Sequence, residues 1–521
     1  MPRNHLLALF LLGLLVASLV AWLQHSPGYM DADYYMAGGL RLVQGFGFNE
    51  IVIWNYLDNP AGLPHPSHSY WMPLASIIAA IGMGLTGQHD FYTARLPFIL
   101  LAGLVPPVTS LLAYRLTARR ELALLSGLLA AFPTYQASFI ATTSNFVLYN
   151  LLGAAFFIGL FGDSRKNYFG IGLAVGLMNF ARSDGLLWLP LGLLAVLLNL
   201  FSLHGLQIRR WLKPFFSAAL FLFLGYLFVM LPWFVRNLNE FGALMAPGGS
   251  RAMFLVTYAD TFTYPASILT FERWLNSGWQ AIFDARLSAF WSNLATGLAA
   301  QGGIVLWPFI LIAAWRLRRD FRVQIGALAW LALFLVMTFV FPFAGPRGSF
   351  YHAGAALLPL GWALAPIGLD VVVAAARRRN WFTPQAQRVF RVMLFAVIAA
   401  LTMILINIRV IDDDWDLSDQ TFRQVEARLQ AAGAQPEDVV MVNNPPGYYI
   451  ASGRAAVVSP SSSTPLVFES ARVYEARYLI LESHSIPDIL MPFLERPRST
   501  PELNLIFAEP DTVVYEFIRD E

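Results

Sequence analysis

The chain contains no cysteine, which excludes disulfides, thiolate metal sites and thiol catalysis and removes the usual clue to redox compartment. It is also poor in charge. Only 13% of its 521 residues are Asp, Glu, Lys or Arg, against 57% hydrophobic. Soluble domains carry roughly 25% charged residues, so most of this chain belongs in a bilayer. With a net charge of +2 and no basic patch interleaved with aromatics, nothing marks a nucleic-acid surface. The phosphate-binding GxxxxGK, the HExxH helix and the GxSxG elbow are all missing, as are internal repeats of 20–50 residues and low-complexity tracts. No small-x-small cleavage site follows the apolar run Leu6–Leu23 before Gln24-His25-Ser26-Pro27, so that run is expected to stay as a first helix.

What is present is a series of apolar runs about long enough to cross a bilayer core of roughly 30 Å. They lie near 5–24, 96–116, 122–141, 146–162, 168–182, 185–203, 214–235, 303–316, 324–343, 353–375 and 391–409. The expected fold class is therefore a polytopic α-helical membrane protein with about eleven transmembrane helices and a small C-terminal α/β domain. Residues 1–409 would form the membrane part and 410–521 the soluble part. The segment Met72–Thr86 is apolar but short. If it does not cross, Arg3 and the basic groups within 115–120, 165–166, 209–213, 316–322 and 377–391 fall on one side and hold eighteen of the 35 Lys and Arg. The opposite loops, though longer, hold nine: Arg41, Arg95, Arg182, Arg236, Arg251, Arg273, Arg286, Arg347 and Arg409. The positive-inside rule then places the N-terminus inside and the C-terminus outside. Met72–Thr86 is read as re-entrant or lying along the outer surface.

Two long outer loops follow, about 24–95 and 237–301. After Arg409 comes an acidic linker, Asp412-Asp413-Asp414-Trp415-Asp416. A helical pattern over Ser418–Ala432 and β-rich runs at Asp438–Val442, Ala455–Val458, Arg477–Leu481, Leu503–Phe507 and Thr512–Phe517 then build the soluble part. Asn443-Asn444-Pro445-Pro446-Gly447 is expected to be a loop.

Carboxylates and arginines gather on the outer face. Asp31 and Asp33 open the first loop, just past a spanning helix, where ionisable groups are costly unless solvated or paired. The plain structural alternative is that they cap the next helix. Arg95 opens the second span, Arg182 and Asp184 interrupt two apolar runs, Arg236 closes the seventh, and Arg347 and His352 lie between the ninth and tenth. A carboxylate facing arginines suits transfer of a sugar from a lipid phosphate: the acid accepts the acceptor's proton and arginine stabilises the departing phosphate. Equally, Arg182 and Asp184 would simply pair, and Arg95 and Arg236 would snorkel to anchor helix ends. His65 and His68 stand three apart, but Pro64 and Pro66 argue against the helix that a two-histidine metal site needs, so no metal ligands are assigned.

The order of these motifs resembles the GT-C superfamily of polyprenyl-phosphate-sugar glycosyltransferases, which includes protein O-mannosyltransferases and aminoarabinose lipid A transferases. The matching stretches are Asp31-x-x-Tyr34-Tyr35, Ala94-Arg95-Leu96-Pro97, Phe180-Ala-Arg-Ser-Asp-Gly185, Leu231-Pro-Trp-Phe-Val-Arg-Asn237, and Asp438–Pro446 followed by Ser452-Gly453-Arg454. The resemblance implies a glycosyltransferase of the bacterial inner or plasma membrane. Its partners would be a polyprenyl-phosphate-linked sugar, an extracytoplasmic lipid, glycan or protein acceptor, and membrane lipids.

The resemblance places the family's catalytic base on Asp31; many relatives have Asp-Glu where this chain has Asp31-Ala32, with a second carboxylate displaced to Asp33, so Asp31 and Asp33 are both candidates for the base and Asp31 is favoured. Arg95, Arg236, Arg347 and His352 are the candidates for holding the donor phosphate. Tyr35, His65, His68, Arg182, Asp184 and Arg251 are the candidates for lining the substrate cavity. Oligosaccharyltransferases of similar architecture place acidic metal ligands where this chain reads Ala141-Thr-Thr-Ser-Asn-Phe146. That departure points to a monophosphate donor and a reaction without cofactor, with a divalent ion left open. The rival readings are a transporter or flippase for lipid-linked sugars, which would need polar groups at mid-membrane depth and often inverted repeats, and a non-catalytic scaffold.

Overall fold

A computed structural model of the chain describes residues 1–205, 207–383, 385–483 and 486–518. The chain divides into two compact units. One comprises Met1–Gln24, Arg95–Arg236 and Arg286–Asp414, and the other His25–Ala94, Asn237–Ala285 and Trp415–Glu521.

All eleven apolar runs fall on helices. Among the described residues, seven helical segments are long and apolar enough to cross a membrane: Arg3–Trp22, Phe91–Thr117, Ser183–Leu203, Arg210–Phe241, Phe321–Val340, Gly345–Arg378 and Ala386–Ala431. The chain is a multi-pass membrane protein. The other four runs form the shorter helices Arg120–Ala131, Phe146–Gly159, Arg165–Ala181 and Trp307–Arg316, of 12, 14, 17 and 10 residues. Hydropathy counts these as spans, whereas length does not, because local breakers cut them: Pro133 follows the first and Pro308 opens the last.

Helices of the first unit approach closely where glycine removes a side chain. A Cβ on Gly153 would lie 1.9 Å from the Ala356 carbonyl oxygen, one on Gly172 2.0 Å from that of Leu222, and one on Gly368 1.9 Å from that of Phe309. Small residues at such crossings are how membrane helices gain contact when lipid supplies no hydrophobic drive. A buried carboxylate also ties three of these helices together. Asp370, 6% exposed, accepts from Arg391 Nε and Nη2 at 2.9 and 2.7 Å and pairs with Arg119 Nη1 at 2.8 Å. Arg391 also holds Glu121 at 2.5 Å. The network ties the start of Arg120–Ala131 to Leu358–Arg378 and Ala386–Ile406.

The second unit carries the strands β1 (Asn49–Glu50), β2 (Val52–Ile53), β3 (His65–Pro66), β4 (Val439–Met441), β5 (Ala456–Val457), β6 (Ala476–Glu482), β7 (Leu503–Ala508) and β8 (Thr512–Phe517). β1 and β3 pair antiparallel. The others form one six-stranded sheet in the order β2-β5-β4-β6-β8-β7. It is parallel from β2 to β6 and antiparallel at β8 and β7. All five expected C-terminal strands are present. The sheet, however, takes its edge strand β2 from the first long loop, so residues 410–521 do not complete it alone.

Further links cross between the segments of this unit. Tyr56 Oη donates to the Val458 carbonyl at 2.5 Å and Tyr474 Oη to that of Pro60 at 2.6 Å. Arg251 Nη1 donates to the Leu57 carbonyl at 2.7 Å. The stretch read as a loop, 443–447, instead opens the helix Pro445–Ser452, with Asn444 accepting from the Gly447 amide at 3.1 Å.

The short apolar segment forms the helix Leu74–Thr86, 13 residues long, which at 1.5 Å per residue spans about 20 Å and falls short of a bilayer core. It lies in the second unit and packs on the helix Met30–Val43, where a Cβ on Gly38 or Gly39 would meet Ser76 or Ala79 at 2.7 or 3.0 Å.

Candidate active site

The helix Met30–Val43 follows the sharp turn at Gly28, whose φ of +86° places it in the left-handed region. Tyr29 is its N-cap, so the capping role considered for Asp31 and Asp33 is not realised. Both lie in the first helical turn, where the helix dipole favours negative charge. Residues two apart on a helix point about 200° apart, and the two carboxylates have different surroundings accordingly. Asp33 is 7% exposed and accepts from Asn444 Nδ2 at 2.8 Å. Asp31 is half-buried.

Burial pushes the Asp33 carboxyl up to about 7, against the opposing hydrogen bond from Asn444 and with smaller upward contributions from Asp419 and Asp31. The linkage has a definite sign. Between the unfolded value near 3.9 and about 7 the folded chain holds a proton that the unfolded chain has lost, so Asp33's contribution to stability falls as pH rises through that window. Asp33→Asn, which keeps an acceptor for Asn444, is expected to raise the thermal midpoint at pH 8 and to flatten its pH dependence between 4 and 7. The gain at pH 8 should be on the order of 2–4 kcal/mol. Equal pH dependence in both proteins, measured by thermal denaturation in lipid, would contradict the assignment.

The turn before this helix is tied to the start of the C-terminal segment. Asp416 accepts from the amides of His25 and Ser26 at 3.0 and 2.8 Å and from Ser26 Oγ at 2.7 Å. It also pairs with His25 Nδ1 at 2.9 Å. Trp415 Nε1 donates to the Ser26 carbonyl at 3.0 Å. A Cβ on Gly28 would lie 2.1 Å from the Trp415 ring. Gly28→Ala, strained by φ as well as by this contact, is expected to destabilise the protein by about 2 kcal/mol or more. An unchanged thermal midpoint would contradict it.

Several expected cavity residues have partners within the second unit. His68 is 1% exposed, its ring nitrogens lie 2.8 Å from Ser67 Oγ and 3.0 Å from Ser76 Oγ, and its amide donates to Tyr34 Oη at 2.7 Å. Tyr34 in turn donates to Glu50 at 2.7 Å. Tyr35, also 1% exposed, packs against Trp71 and Tyr34. Both are buried in this unit. His65 pairs with Asp58 at 2.6 Å, and Arg251 fastens one loop to the other as described above. Among the described residues no three His, Cys, Asp or Glu side chains lie together as a metal site would require.

The remaining candidates belong to the helical unit. Arg182 pairs with Asp184 at 2.8 Å, the bland alternative, and its Nη2 also reaches the Ser349 carbonyl at 3.4 Å. Tyr149 Oη donates to Asp184 at 3.5 Å. These contacts join the 180–185 motif to the 347–352 motif. There Arg347 is exposed on a kinked turn, and His352 stacks on Phe146 with centroids 4.0 Å apart. Arg95 is buried and donates to the Gln24 carbonyl at 2.8 Å. Arg236 lies 4.8 Å over the Trp233 ring. Asn444, which holds Asp33, was not among the candidates, although it lies in the stretch Asp438–Pro446 that carries part of the resemblance.

Solved structures share this architecture. The archaeal oligosaccharyltransferase AglB from Archaeoglobus fulgidus, in complex with an inhibitory peptide and a dolichol-phosphate, is similar over 92% of this chain and 69% of its own. Its TM-score is 0.54 and its identity 13%. ArnT from Cupriavidus metallidurans bound to undecaprenyl phosphate matches over 99% of this chain and 98% of its own, with a TM-score of 0.55 and 12% identity. Its apo state covers 98% and 97%, with a TM-score of 0.56. No family profile and no curated protein matches the chain. The likeness at this identity is one of fold: the chain has the GT-C fold, with a small sheet-containing unit that includes its C-terminal part.

Proposed function

We propose that this protein is a membrane glycosyltransferase that takes a sugar from a polyprenyl monophosphate and passes it, with inversion, to an extracytoplasmic acceptor. The observation that carries the reading is the GT-C fold, shared along nearly the whole of both chains with a protein bound to undecaprenyl phosphate, together with a half-buried carboxylate, Asp31, in the first turn after the first spanning helix.

In this reading Asp31 is the general base. It takes the proton from the acceptor's hydroxyl or amine as that atom bonds to the anomeric carbon, while the bond from that carbon to the phosphate oxygen breaks. Polyprenyl phosphate leaves with both electrons of that bond. Arg347, exposed and carried on a kinked turn, is the cation we assign to the leaving phosphate; Arg182, paired with Asp184, reaches the same turn through the Ser349 carbonyl. Arg95, Arg236 and His352 are secondary candidates. Asp33 is not the base, because its carboxylate is buried and engaged by Asn444. The N-terminus lies on the cytoplasmic side, following the basic loops.

The test is transfer by the purified protein in lipid with a panel of radiolabelled polyprenyl-phosphate sugars, with and without chelator. Turnover of one donor, unaffected by chelator, is expected. Turnover abolished by chelator would contradict the metal-independent mechanism, and absence of turnover with every donor and acceptor class would contradict the transferase reading.

A further inference from the structure

The turn that bears Asp31 is gripped on both sides by one stretch of chain nearly 400 residues away in sequence. Upstream, Asp416 collects three hydrogen bonds from His25 and Ser26, and Trp415 lies on Gly28 while donating to Ser26. Downstream, Asn444 divides its two side-chain atoms: Oδ1 accepts from the Gly447 amide and caps its own helix, while Nδ2 donates to Asp33. Gly447 leaves the room this requires, since a Cβ there would lie 2.9 Å from Asp33 Oδ2 and 2.6 Å from Asn444 Nδ2. Capping the helix Pro445–Ser452 needs only one of these atoms. The second contact serves the Asp31 helix.

We propose that residues 415–447 act as a clamp that aims Asp31, with Asp416 and Asn444 as positioning residues for sugar transfer; this rests on Asp31 being the base. The argument is geometric. Asp31 and Asp33 point about 200° apart on one helical turn, so holding Asp33 inward sets the rotation that turns Asp31 the other way. Asp416 and Trp415 fix where that turn begins. A base displaced by 1 Å can lose about 100-fold in rate. Asp33 thus works through Asp31, and the charged groups acting on Asp33 are Asp31 and Asp419, the latter held by Arg423 at 2.7 Å.

The experiment uses the full-length protein in lipid nanodiscs, as wild type, Asn444→Ala, Asp416→Ala and the exchanged pair Asp33→Asn with Asn444→Asp. The exchanged pair keeps both hydrogen bonds, because Asp at 444 accepts from Gly447 and from Asn at 33. Hydrogen exchange and steady-state transfer are measured together. In Asn444→Ala and Asp416→Ala, exchange over 25–36 should speed up about tenfold while β6 and β8 stay protected. kcat should fall about 10- to 100-fold with the donor KM within twofold, and the exchanged pair should recover both readouts. Unchanged exchange over 25–36, or a loosened turn with unchanged kcat, overturns the clamp. Should the alanine variants fail to fold, the exchanged pair decides: wild-type exchange and kcat support the clamp, and a kcat as low as that of Asp31→Asn overturns it. If wild type turns over no donor, the reading of Asp31 as a base falls, and the exchange result alone decides whether the clamp exists.

Discussion

Asp31→Asn is expected to lower sugar transfer about 10²- to 10⁴-fold, the usual contribution of a positioned general base, while donor binding and fold persist. Asn has the size of Asp and forms hydrogen bonds, so a half-buried position in a first helical turn loses the proton acceptor and a charge–dipole contribution of about 0.3–1 kcal/mol. Binding of polyprenyl phosphate to the variant, read as a thermal shift, should match wild type. Asp33→Asn should lose far less, because its carboxylate is occupied by Asn444 and buried. Turnover that survives in Asp31→Asn and disappears in Asp33→Asn would reverse the assignment.

Asp370→Ala is expected to destabilise the membrane unit by roughly 3–5 kcal/mol, because it leaves the Arg391 guanidinium without the carboxylate that takes two of its hydrogen bonds. Removing one partner of a buried pair costs more than the pair contributes, since the remaining charge stays desolvated. Asp370→Asn should cost less, as it still accepts one bond. Combining Asp370→Ala with Arg391→Met should recover part of the loss. Denaturation of the purified protein in lipid measures all three; a double variant no more stable than Asp370→Ala would contradict this account.

Much of the helical architecture was legible because spanning helices announce themselves by long apolar runs, and each of the eleven runs is helical. The segment Met72–Thr86, which the charge count left out of the spans, holds a helix of 13 residues. The five C-terminal strands were visible as β-rich runs. β2 was not: it is two residues long, and its partners lie about 400 positions away. The same long range hid Asn444, whose importance comes from the residue it meets and not from its neighbours in sequence. Arg182 and Asp184 were readable as a pair because they stand two apart. The burial of His68 was not legible, since Ser76, one of the two serines at its ring, is brought there by the fold.

The most direct test of the central claim is release of polyprenyl phosphate from a polyprenyl-phosphate sugar, followed for wild type and Asp31→Asn side by side at equal donor occupancy. The account predicts release coupled to acceptor glycosylation in the wild type and a loss of at least about 100-fold in the variant. Equal release by the two proteins, with the donor bound to both, would contradict it.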